Sequence, residues 1–344
     1  MKYRNLGSTG IKVSPLCLGT MMFGAWGNTD HEDSIRIIHT ALDAGINFVD
    51  TADMYSAGES EEIVGKSLAG RRDKVILATK VHGAMSSDPN EQGNSRRWII
   101  RECENSLRRL GTDYIDLYQI HRPDPEVDVD ETLAGLTDLI RQGKVRYAGS
   151  STFPASSIVE AQWTAERRQR ERFVCEQPPY SVLARGVETE ILPICHKYGM
   201  GVIPWSPLAG GWLSGKWRKD GSELGSHRSV LLPDRYDLSK PGNQAKLDAA
   251  DALANVADNA GITLIHLALA FVINHPAVTS AIIGPRTMEH VESQIGAADV
   301  ILDAEVLDQI DEIVPPGLNL LSEDAGYDPP SITQAWRRRR PYRD

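Results

Sequence analysis

The stretch SRRWIIRECENSLRRLGTDYIDLYQIH, residues 95–121, shows the pattern that decides the fold. Apolar residues recur every four positions over Ser95–Leu110, which predicts an amphipathic helix. Gly111 follows and can adopt the left-handed conformation that ends a helix. A short apolar run at Tyr114–Gln119 then predicts a buried strand. The order helix, glycine, strand is typical of the repeating unit of an α/β protein.

The same order recurs along the chain. Helices are predicted at His31–Ala44 and Asp130–Gln142, and Gly45 and Gly143 follow them. Strands about 30 residues apart with helices between them predict βαβ units and a parallel sheet. Eight such strands favour a closed (β/α)8 TIM barrel of the α/β class over an open sheet. The predicted strands are Pro15–Leu18, Ile46–Val49, Val75–Ala78, Tyr114–Gln119, Val145–Ala148, Phe173–Cys175, Gly201–Ile203 and Val278–Ile283.

Two segments interrupt this pattern. Residues 1–13 contain a Gly-Ser-Thr-Gly turn, which predicts an N-terminal β-hairpin that plugs one end of the barrel. Trp212–Asn243, after the seventh strand, is rich in glycine, serine, proline and charge, so we expect a long functional loop. We expect a single domain over 1–344, with its core at about 3–315 and a tail at about 316–344 in which Arg337–Arg340 are solvated.

Composition limits the functional classes. The chain has 344 residues, with 37 lysines and arginines against 47 aspartates and glutamates, and a net charge of −10. This balance argues against binding to nucleic acid or to an acidic membrane surface. The longest apolar stretch, near Ile262–Ile273, is too short to span a membrane, and the N-terminus lacks the apolar core of a signal peptide. Four widely separated cysteines fit a reduced, cytoplasmic protein without a zinc site.

The residues that follow each predicted strand are the first place to look for chemistry, because the carboxyl ends of barrel strands meet at one rim. Each of these residues alone could have a structural role, such as a helix cap or a solvated rim charge. Together they predict a functional site. The positions are Asp50, Lys80, His121, Ser150, Ser151, Gln177, Trp205, Ser206 and Gly284.

Four of the polar side chains near this rim suggest a reaction. Lys80 and Asp50, on adjacent strands, could form a buried ion pair. The ammonium would lower the pKa of a nearby phenol, and Tyr55 is the candidate phenol. His121 could orient a carbonyl oxygen beside this proton donor. The set is suited to reduction of a C=O group by an external hydride source.

Seven motifs resemble those of the aldo-keto reductase family, in family order and over roughly residues 3–315. Within that family they most resemble the bacterial reductases allied to the potassium-channel β subunits. The motifs are FVDTADMYSAGESEEIVGKSL (48–68), ILATK (76–80), DLYQIHRPDP (116–125), GKVRYAGSSTF (143–153), EQPPYS (176–181), IPWSPLAGGWLSGK (203–216) and IIGPRTMEHVESQIGA (282–297).

The resemblance implies a function and a cofactor. It implies an NADP-dependent oxidoreductase of the alcohol dehydrogenase (NADP+) type, in which NADPH lies across the barrel mouth and reduces a small-molecule aldehyde or ketone. Tyr55 would be the general acid and base. Separately, the length, glycines and lack of periodicity of Trp212–Asn243, with Lys216 near its start, predict a mobile clamp that closes over the cofactor. The implied catalytic tetrad is Asp50, Tyr55, Lys80 and His121.

The family's binding residues carry over position by position. Thr152 stands where the family usually has Asn, and Ser293-Gln294 stand where Glu-Asn is common. Arg286, just before a helix start at Thr287, would bind the 2′-phosphate. The cofactor positions are Gly19, Thr20, Met21, Asp50, Ser151, Thr152, Gln177, Trp205, Ser206, Pro207, Leu208, Gly210, Lys216, Gly284, Arg286, His290 and Gln294. The expected substrate-pocket residues are Phe23, Trp26, Met54, Met85 and Trp212.

Other interpretations compete with this one. A cofactor-binding regulatory subunit and a reductase of keto sugars or enones are the alternative functions, and His121 argues against both, because those branches commonly have Asn or Glu there. Gly210–Lys216 resembles a P-loop, but tryptophan follows it instead of Ser or Thr. No G-x-G-x-x-G follows the first strand, which disfavours a Rossmann fold. Glu59, Glu61 and Glu62 predict the acidic first turn of a helix rather than a metal site.

Overall fold

A computed structural model describes residues 1–219, 229–230 and 232–339. The chain begins with an antiparallel hairpin of β1 (Arg4–Asn5) and β2 (Lys12–Val13). Eight further strands form one parallel sheet, and they match the eight predicted strands in order and position. They are β3 (Leu16–Gly19), β4 (Phe48–Asp50), β5 (Ile76–Val81), β6 (Ile115–Ile120), β7 (Val145–Ser151), β8 (Phe173–Gln177), β9 (Gly201–Val202) and β10 (Ala281–Ile283).

The sheet closes on itself. Strands β3 to β9 pair in sequence order, and β10 pairs with β3. At the remaining seam, the backbone N–H of Thr279 donates to the carbonyl of Val202 (2.8 Å), and that of Ile282 donates to the carbonyl of Pro204 (2.9 Å). These bonds join the β10 segment to the β9 segment, so neither β9 nor β10 is left as a free edge of the sheet. The predicted (β/α)8 barrel is confirmed.

Helices surround the barrel, and their ends follow the predicted signals. Ser95 caps its helix by accepting from the N–H of Trp98, and Gly111 ends it with φ 61°. The helices are α1 (His31–Asp43), α2 (Glu59–Ser67), α3 (Arg96–Leu110), α4 (Val129–Arg141), α5 (Ala155–Arg168), α6 (Ile191–Lys197), α7 (Pro241–Asn259), α8 (Leu264–Asn274), α9 (Met288–Ile295) and α10 (Ala304–Ile313), with short helices at Pro330–Thr333 and Ala335–Arg338. Within the described part of the chain, no single helix has the length and hydropathy to cross a membrane; α7 and α8 meet that test only as a pair bent by 93°.

The N-terminal hairpin fills the end of the barrel opposite the site. Leu6 and Val13 are fully buried and pack with residues of the strands, among them Phe48, Leu117 and Cys175. The hairpin is held to the strand end by the N–H of Ser8, which donates to the carbonyl of Gly199. The plug predicted from residues 1–13 is therefore present.

The long loop after β9 is anchored by aromatic rings. The ring centroid of Trp212 lies 4.2 Å from that of Trp217 and 5.5 Å from that of Tyr236, so the two described ends of the loop stack together. Residues 220–228 and 231 of this loop lie outside the described residues. Closure of the loop over a cofactor therefore stays a prediction.

The first part of the predicted tail packs against the loops at the barrel mouth. The N–H of Arg185 donates to the carbonyl of Leu318 (3.0 Å), and that of Gly186 donates to the side chain of Asn319 (2.7 Å). The N–H of Leu320 donates to the carbonyl of Leu183 (3.1 Å). Residues 318–326, called the C-terminal segment below, therefore form part of the wall around the site.

Candidate active site

The carboxyl ends of the strands surround a cavity of about 830 Å³. Asp50 ends β4, Lys80 lies near the end of β5, and His121 directly follows β6. Because these strands are parallel neighbours, the three side chains meet at one rim, as the sequence predicted. Asp50, Tyr55 and His121 line the cavity itself.

The four side chains of the predicted tetrad lie together. Lys80 Nζ is 2.5 Å from Asp50 Oδ1 and 3.2 Å from the hydroxyl oxygen of Tyr55. Lys80 is fully buried, and it also donates to the carbonyl of Thr51 at 2.8 Å. The ring of His121 meets the ring of Tyr55 edge-on, with centroids 5.7 Å apart. The expected buried ion pair is present, and it holds an ammonium beside the phenol.

A tight loop positions Tyr55. After Tyr55 the chain turns through three positive φ angles, at Ser56, Ala57 and Gly58, into α2. The side chain of Arg109 lies directly under Gly58, where an added Cβ would come 2.7 Å from Arg109 Cδ. Arg109 also pairs with the fully buried Glu61 at 2.6 Å. Glu61 lies in the acidic first turn of α2, as predicted. Because Glu61 pairs with Arg109, it also helps to hold the loop that carries Tyr55.

The pKa values of these groups follow from burial and neighbouring charge. Burial raises the pKa of Tyr55, and the Lys80 ammonium offsets that effect only in part. The expected lowering is therefore wrong, because removing the phenolate from water outweighs the nearby cation. Burial also disfavours the charged form of Lys80, but Asp50 and Tyr55 together outweigh that effect, and the pKa of Lys80 is raised. Burial and the Lys80 charge hold the pKa of His121 well below its usual value, so its ring is neutral.

Asp50 is held by two amides as well as by Lys80. Its Oδ2 accepts from Nε2 of Gln119 at 3.0 Å and from Nε2 of Gln177 at 2.9 Å. The sequence predicted Gln177 as a site residue, but Gln119 was not predicted. A signal existed, because Gln119 lies two residues before His121 on β6 and so faces the same side of the sheet.

The next part of the rim carries the predicted nicotinamide-binding positions. The Ser151 hydroxyl donates to the carbonyl of Gln177 at 2.9 Å. Thr152 has φ 58°, and its Oγ1 accepts from Trp205 Nε1 at 3.3 Å and from Arg122 at 3.0 Å. Trp205 and Gln177 line the cavity beside Asp50, whereas Ser151 and Thr152 lie behind that wall.

The far end of the same cavity is cationic. Lys216, Arg286 and His290 line it, and burial followed by the charge of Arg286 and that of Lys216 lowers the pKa of His290. Thr287 caps α9 by accepting from the N–H of His290, which confirms the predicted helix start. Gln294 Oε1 is buried there and accepts no hydrogen bond from any residue that the structure describes. Cations for a phosphate and a free amide oxygen for an adenine amino group fit a phosphorylated dinucleotide.

Most of the other predicted residues also line this cavity. Trp26, Met54 and Trp212 do so, whereas Phe23 is fully buried in the core and Met85 packs against the core. The structure therefore does not bring Phe23 or Met85 to the cavity. The remaining predicted cofactor positions on its wall are Gly19, Thr20, Met21, Ser206, Pro207, Leu208, Gly210 and Gly284.

Several cavity residues were not predicted. Arg122 belongs to the motif DLYQIHRPDP, so a signal for it was present in the sequence. Lys246 pairs with Asp324 of the C-terminal segment at 2.5 Å, and Gly326 lies on the same wall. No local pattern indicates that residues so far apart meet. Across the described residues, no group of His, Cys, Asp and Glu side chains is arranged to hold a metal ion.

Comparison with known proteins identifies the family. Residues 15–315 match the model of the Aldo/keto reductase family. The chain is 42% identical over 332 residues (92% of this chain, 97% of the relative) to "Uncharacterized oxidoreductase YrpG" of Bacillus subtilis (strain 168). It is 36% identical over 331 residues (91% and 97%) to "Probable voltage-gated potassium channel subunit beta" of Arabidopsis thaliana. It is 34% identical over 335 residues (95% and 96%) to "Aldo-keto reductase YhdN" of Bacillus subtilis (strain 168). Motifs, barrel and matches agree, and the protein belongs to the aldo/keto reductase family.

Proposed function

We propose that the protein is an NADPH-dependent carbonyl reductase that converts an aldehyde or ketone to the alcohol, with Tyr55 as the proton donor. Carbonyl reduction is general for the family, which uses nicotinamide cofactors. The observation that carries the finer proposal is the position of the Tyr55 hydroxyl, on the cavity wall and 3.2 Å from the ammonium of Lys80. A phenol held in this way can transfer a proton to a bound carbonyl oxygen.

Different residues of the cavity wall would bind different parts of NADPH. Trp205 and Gln177 would hold the nicotinamide end beside Asp50, and Ser206 and Lys216 would follow the pyrophosphate. Arg286 would bind the 2′-phosphate at the cationic end. When bound there, NADPH would supply the hydride for the reduction.

The tetrad acts on the oxygen of the substrate carbonyl. Because its pKa is raised, Tyr55 is protonated at neutral pH and can donate its proton as negative charge develops on that oxygen. The neutral ring of His121 can donate a hydrogen bond to the same oxygen. Lys80, fixed by Asp50, stabilises the phenolate that remains on Tyr55.

The test is Tyr55→Phe, which removes the hydroxyl and keeps the ring. We expect kcat for aldehyde reduction to fall by at least about 100-fold, because general acid catalysis contributes about 10²–10⁴-fold. The far-ultraviolet circular dichroism and the Kd for NADPH should stay near wild type. Tyr3→Phe removes an exposed hydroxyl far from the site and serves as the control. Turnover of Tyr55→Phe close to that of the wild type would refute the assignment.

A second candidate is a regulatory subunit that binds a channel and keeps the cofactor site for redox sensing. The similarity to proteins named as potassium-channel β subunits favours it. The two functions differ in turnover. A protein that binds NADPH but reduces none of a panel of aldehydes, ketones, quinones and keto sugars would favour the subunit, and rapid turnover of one class would favour the reductase.

A further inference from the structure

We propose that the carbonyl substrate carries an anionic group, a carboxylate or a phosphate, which Arg122 binds beside Tyr55. This inference rests on the proposed reductase function and names the chemical class of its substrate. It concerns the end of the cavity opposite Lys216 and Arg286.

Hydrogen bonds hold Arg122 in place, but its bonds to described residues use only one of the three guanidinium nitrogens. Its Nη1 donates to the carbonyl of His121 at 2.7 Å and to Thr152 Oγ1 at 3.0 Å, and its guanidinium carbon lies 5.8 Å from the centre of the Trp205 ring. The side chain lines the cavity. Neither Nε nor Nη2 bonds to a residue that the structure describes. Donors therefore remain for a ligand.

Among the residues that the structure describes, no carboxylate forms an ion pair with Arg122. The carboxyl group that interacts electrostatically with Arg122 is that of Glu176. Glu176 is fully buried, and its carboxyl group accepts hydrogen bonds from the hydroxyl of Ser150 and from the N–H of Phe153. Burial raises the pKa of Glu176 to about 7, so it is only partly ionised at neutral pH. Burial and then the like charge of Arg235 lower the pKa of Arg122, with Tyr55 and Glu176 acting in the opposite direction.

The other carboxylates of the cavity wall are already engaged. Asp50 is paired with Lys80, and Asp324 is paired with Lys246. Glu323 accepts from the hydroxyl of Ser322, at the C-terminal segment. No acidic side chain among the described residues forms an ion pair with Arg122. A partly buried guanidinium without an ionised partner is stabilised when an anion enters the cavity.

The cavity thus has two cationic ends with different uses. Lys216 and Arg286 lie together at one end, where both affect the pKa of His290 and where the cofactor phosphate would bind. Arg122 and Arg235 lie near the catalytic end, where Arg122 also interacts with the charge of Tyr55. With the 2′-phosphate of the proposed cofactor at the first end, an anion for the second end would come with the substrate. A guanidinium binds carboxylate or phosphate through two parallel hydrogen bonds.

The experiment compares two aldehydes of equal shape. 4-Carboxybenzaldehyde carries the anion, and methyl 4-formylbenzoate is its neutral ester. We expect wild-type kcat/KM to be at least about tenfold higher for the acid, and Arg122→Gln to lower the value for the acid about ten- to a hundredfold, with a much smaller loss for the ester. Arg122→Lys should keep part of the preference. Arg146→Gln, which removes an exposed arginine above Tyr114, is the charge-matched control and should keep the wild-type ratio.

A second pair, glyceraldehyde 3-phosphate against glyceraldehyde, separates the two anion classes. A preference that Arg122→Gln abolishes in either pair supports the site. The proposal is overturned if the wild type shows no preference in both pairs, or if Arg122→Gln reduces the charged and neutral substrates equally. It is also overturned if the Kd for NADPH weakens by the same factor, because Arg122 would then hold the cofactor.

A measurement of substrate binding, which needs no turnover, tests this proposal separately from the proposed function. If the wild type reduces none of the four aldehydes, the wider panel of ketones, quinones and keto sugars decides the reductase function, and the Kd of 4-carboxybenzaldehyde is measured by tryptophan quenching in the presence of NADP+. A Kd that weakens about ten- to a hundredfold in Arg122→Gln supports the anion site. An equal Kd in the two proteins overturns it.

Discussion

Thr152 has a left-handed backbone conformation, with φ 58°, that β-branched residues rarely adopt. Its N–H donates to the carbonyl of Gln177 (3.1 Å), and its Oγ1 accepts from Arg122 and Trp205. Asparagine adopts this conformation more readily, and its amide oxygen can accept the same bonds. We expect Thr152→Asn to raise the free energy of unfolding by about 1 kcal/mol, measured in urea. A lower value would mean that the geometry of the hydroxyl matters more than the strain.

Arg286 is the residue expected to distinguish NADPH from NADH. Its carbonyl accepts from the side chain of Asn28 at 3.1 Å, which ties its backbone to the first barrel loop. Arg286→Ala should weaken NADPH binding roughly ten- to a hundredfold, because charge-assisted hydrogen bonds to the 2′-phosphate are lost. NADH binding, measured by the same fluorescence quenching, should change much less. Arg36→Ala, at an exposed ion pair with Asp33, is the control, and equal weakening of both cofactors would exclude the role.

At the scale of elements, the C-terminal segment depends on a glycine to reach the site. Gly326 has φ 76°, and an added Cβ would lie 2.8 Å from Trp205 Cζ2 and 3.2 Å from Thr152 Cγ2. Gly326→Ala should therefore displace Trp205 or the segment and weaken NADPH binding severalfold. Gly70 has the same φ of 76°, and no atom of a described residue lies within 4 Å of the added Cβ, so Gly70→Ala carries the same backbone strain alone.

Comparing the two alanine variants separates the effect of backbone strain from the effect of contact with Trp205 and Thr152. Both should lower the melting temperature, since alanine disfavours positive φ. Only Gly326→Ala should change the Kd for NADPH. If the two variants bind NADPH equally well, the C-terminal segment has no role in shaping the cofactor site.

At the scale of the whole molecule, Glu176 couples stability to pH. The pKa of this buried carboxyl is raised from 4.5 to about 7 by burial, with hydrogen bonds from Ser150, Phe153 and Thr152 opposing the rise. A raised carboxyl pKa favours the folded state fully below about pH 4.5, and this contribution is lost as the pH rises through about 7. Between pH 5 and pH 8 the wild type should therefore lose on the order of 2–3 kcal/mol more stability than Glu176→Gln.

Urea unfolding of both proteins at the two pH values measures this difference. Comparing the change with pH within each protein removes the direct cost of the substitution. Glu160→Gln, on an exposed part of α5, is the control and should follow the wild type. Parallel curves for wild type and Glu176→Gln would show that Glu176 is ionised in the folded state without penalty.

The sequence by itself determined the order of elements and most of the site. Helix periodicity, the glycine stops and the strand runs depend on neighbours along the chain, so all eight barrel strands were predicted. The barrel then brings strand ends together by topology alone, which placed Asp50, Lys80 and His121 at one rim. The motifs around them were sufficient to predict the family that the comparisons found.

Only the tertiary structure decided the contacts and the electrostatics of the site. Asp50 is bound by Gln177, which is 127 positions away, and the C-terminal segment reaches Trp205 through Gly326. The core, rather than the cavity, holds Phe23, although its residue type suits either place. The pKa of Tyr55 rises where a neighbouring lysine alone predicted a fall. Desolvation depends on everything that surrounds a group in space, and spacing along the chain does not record it.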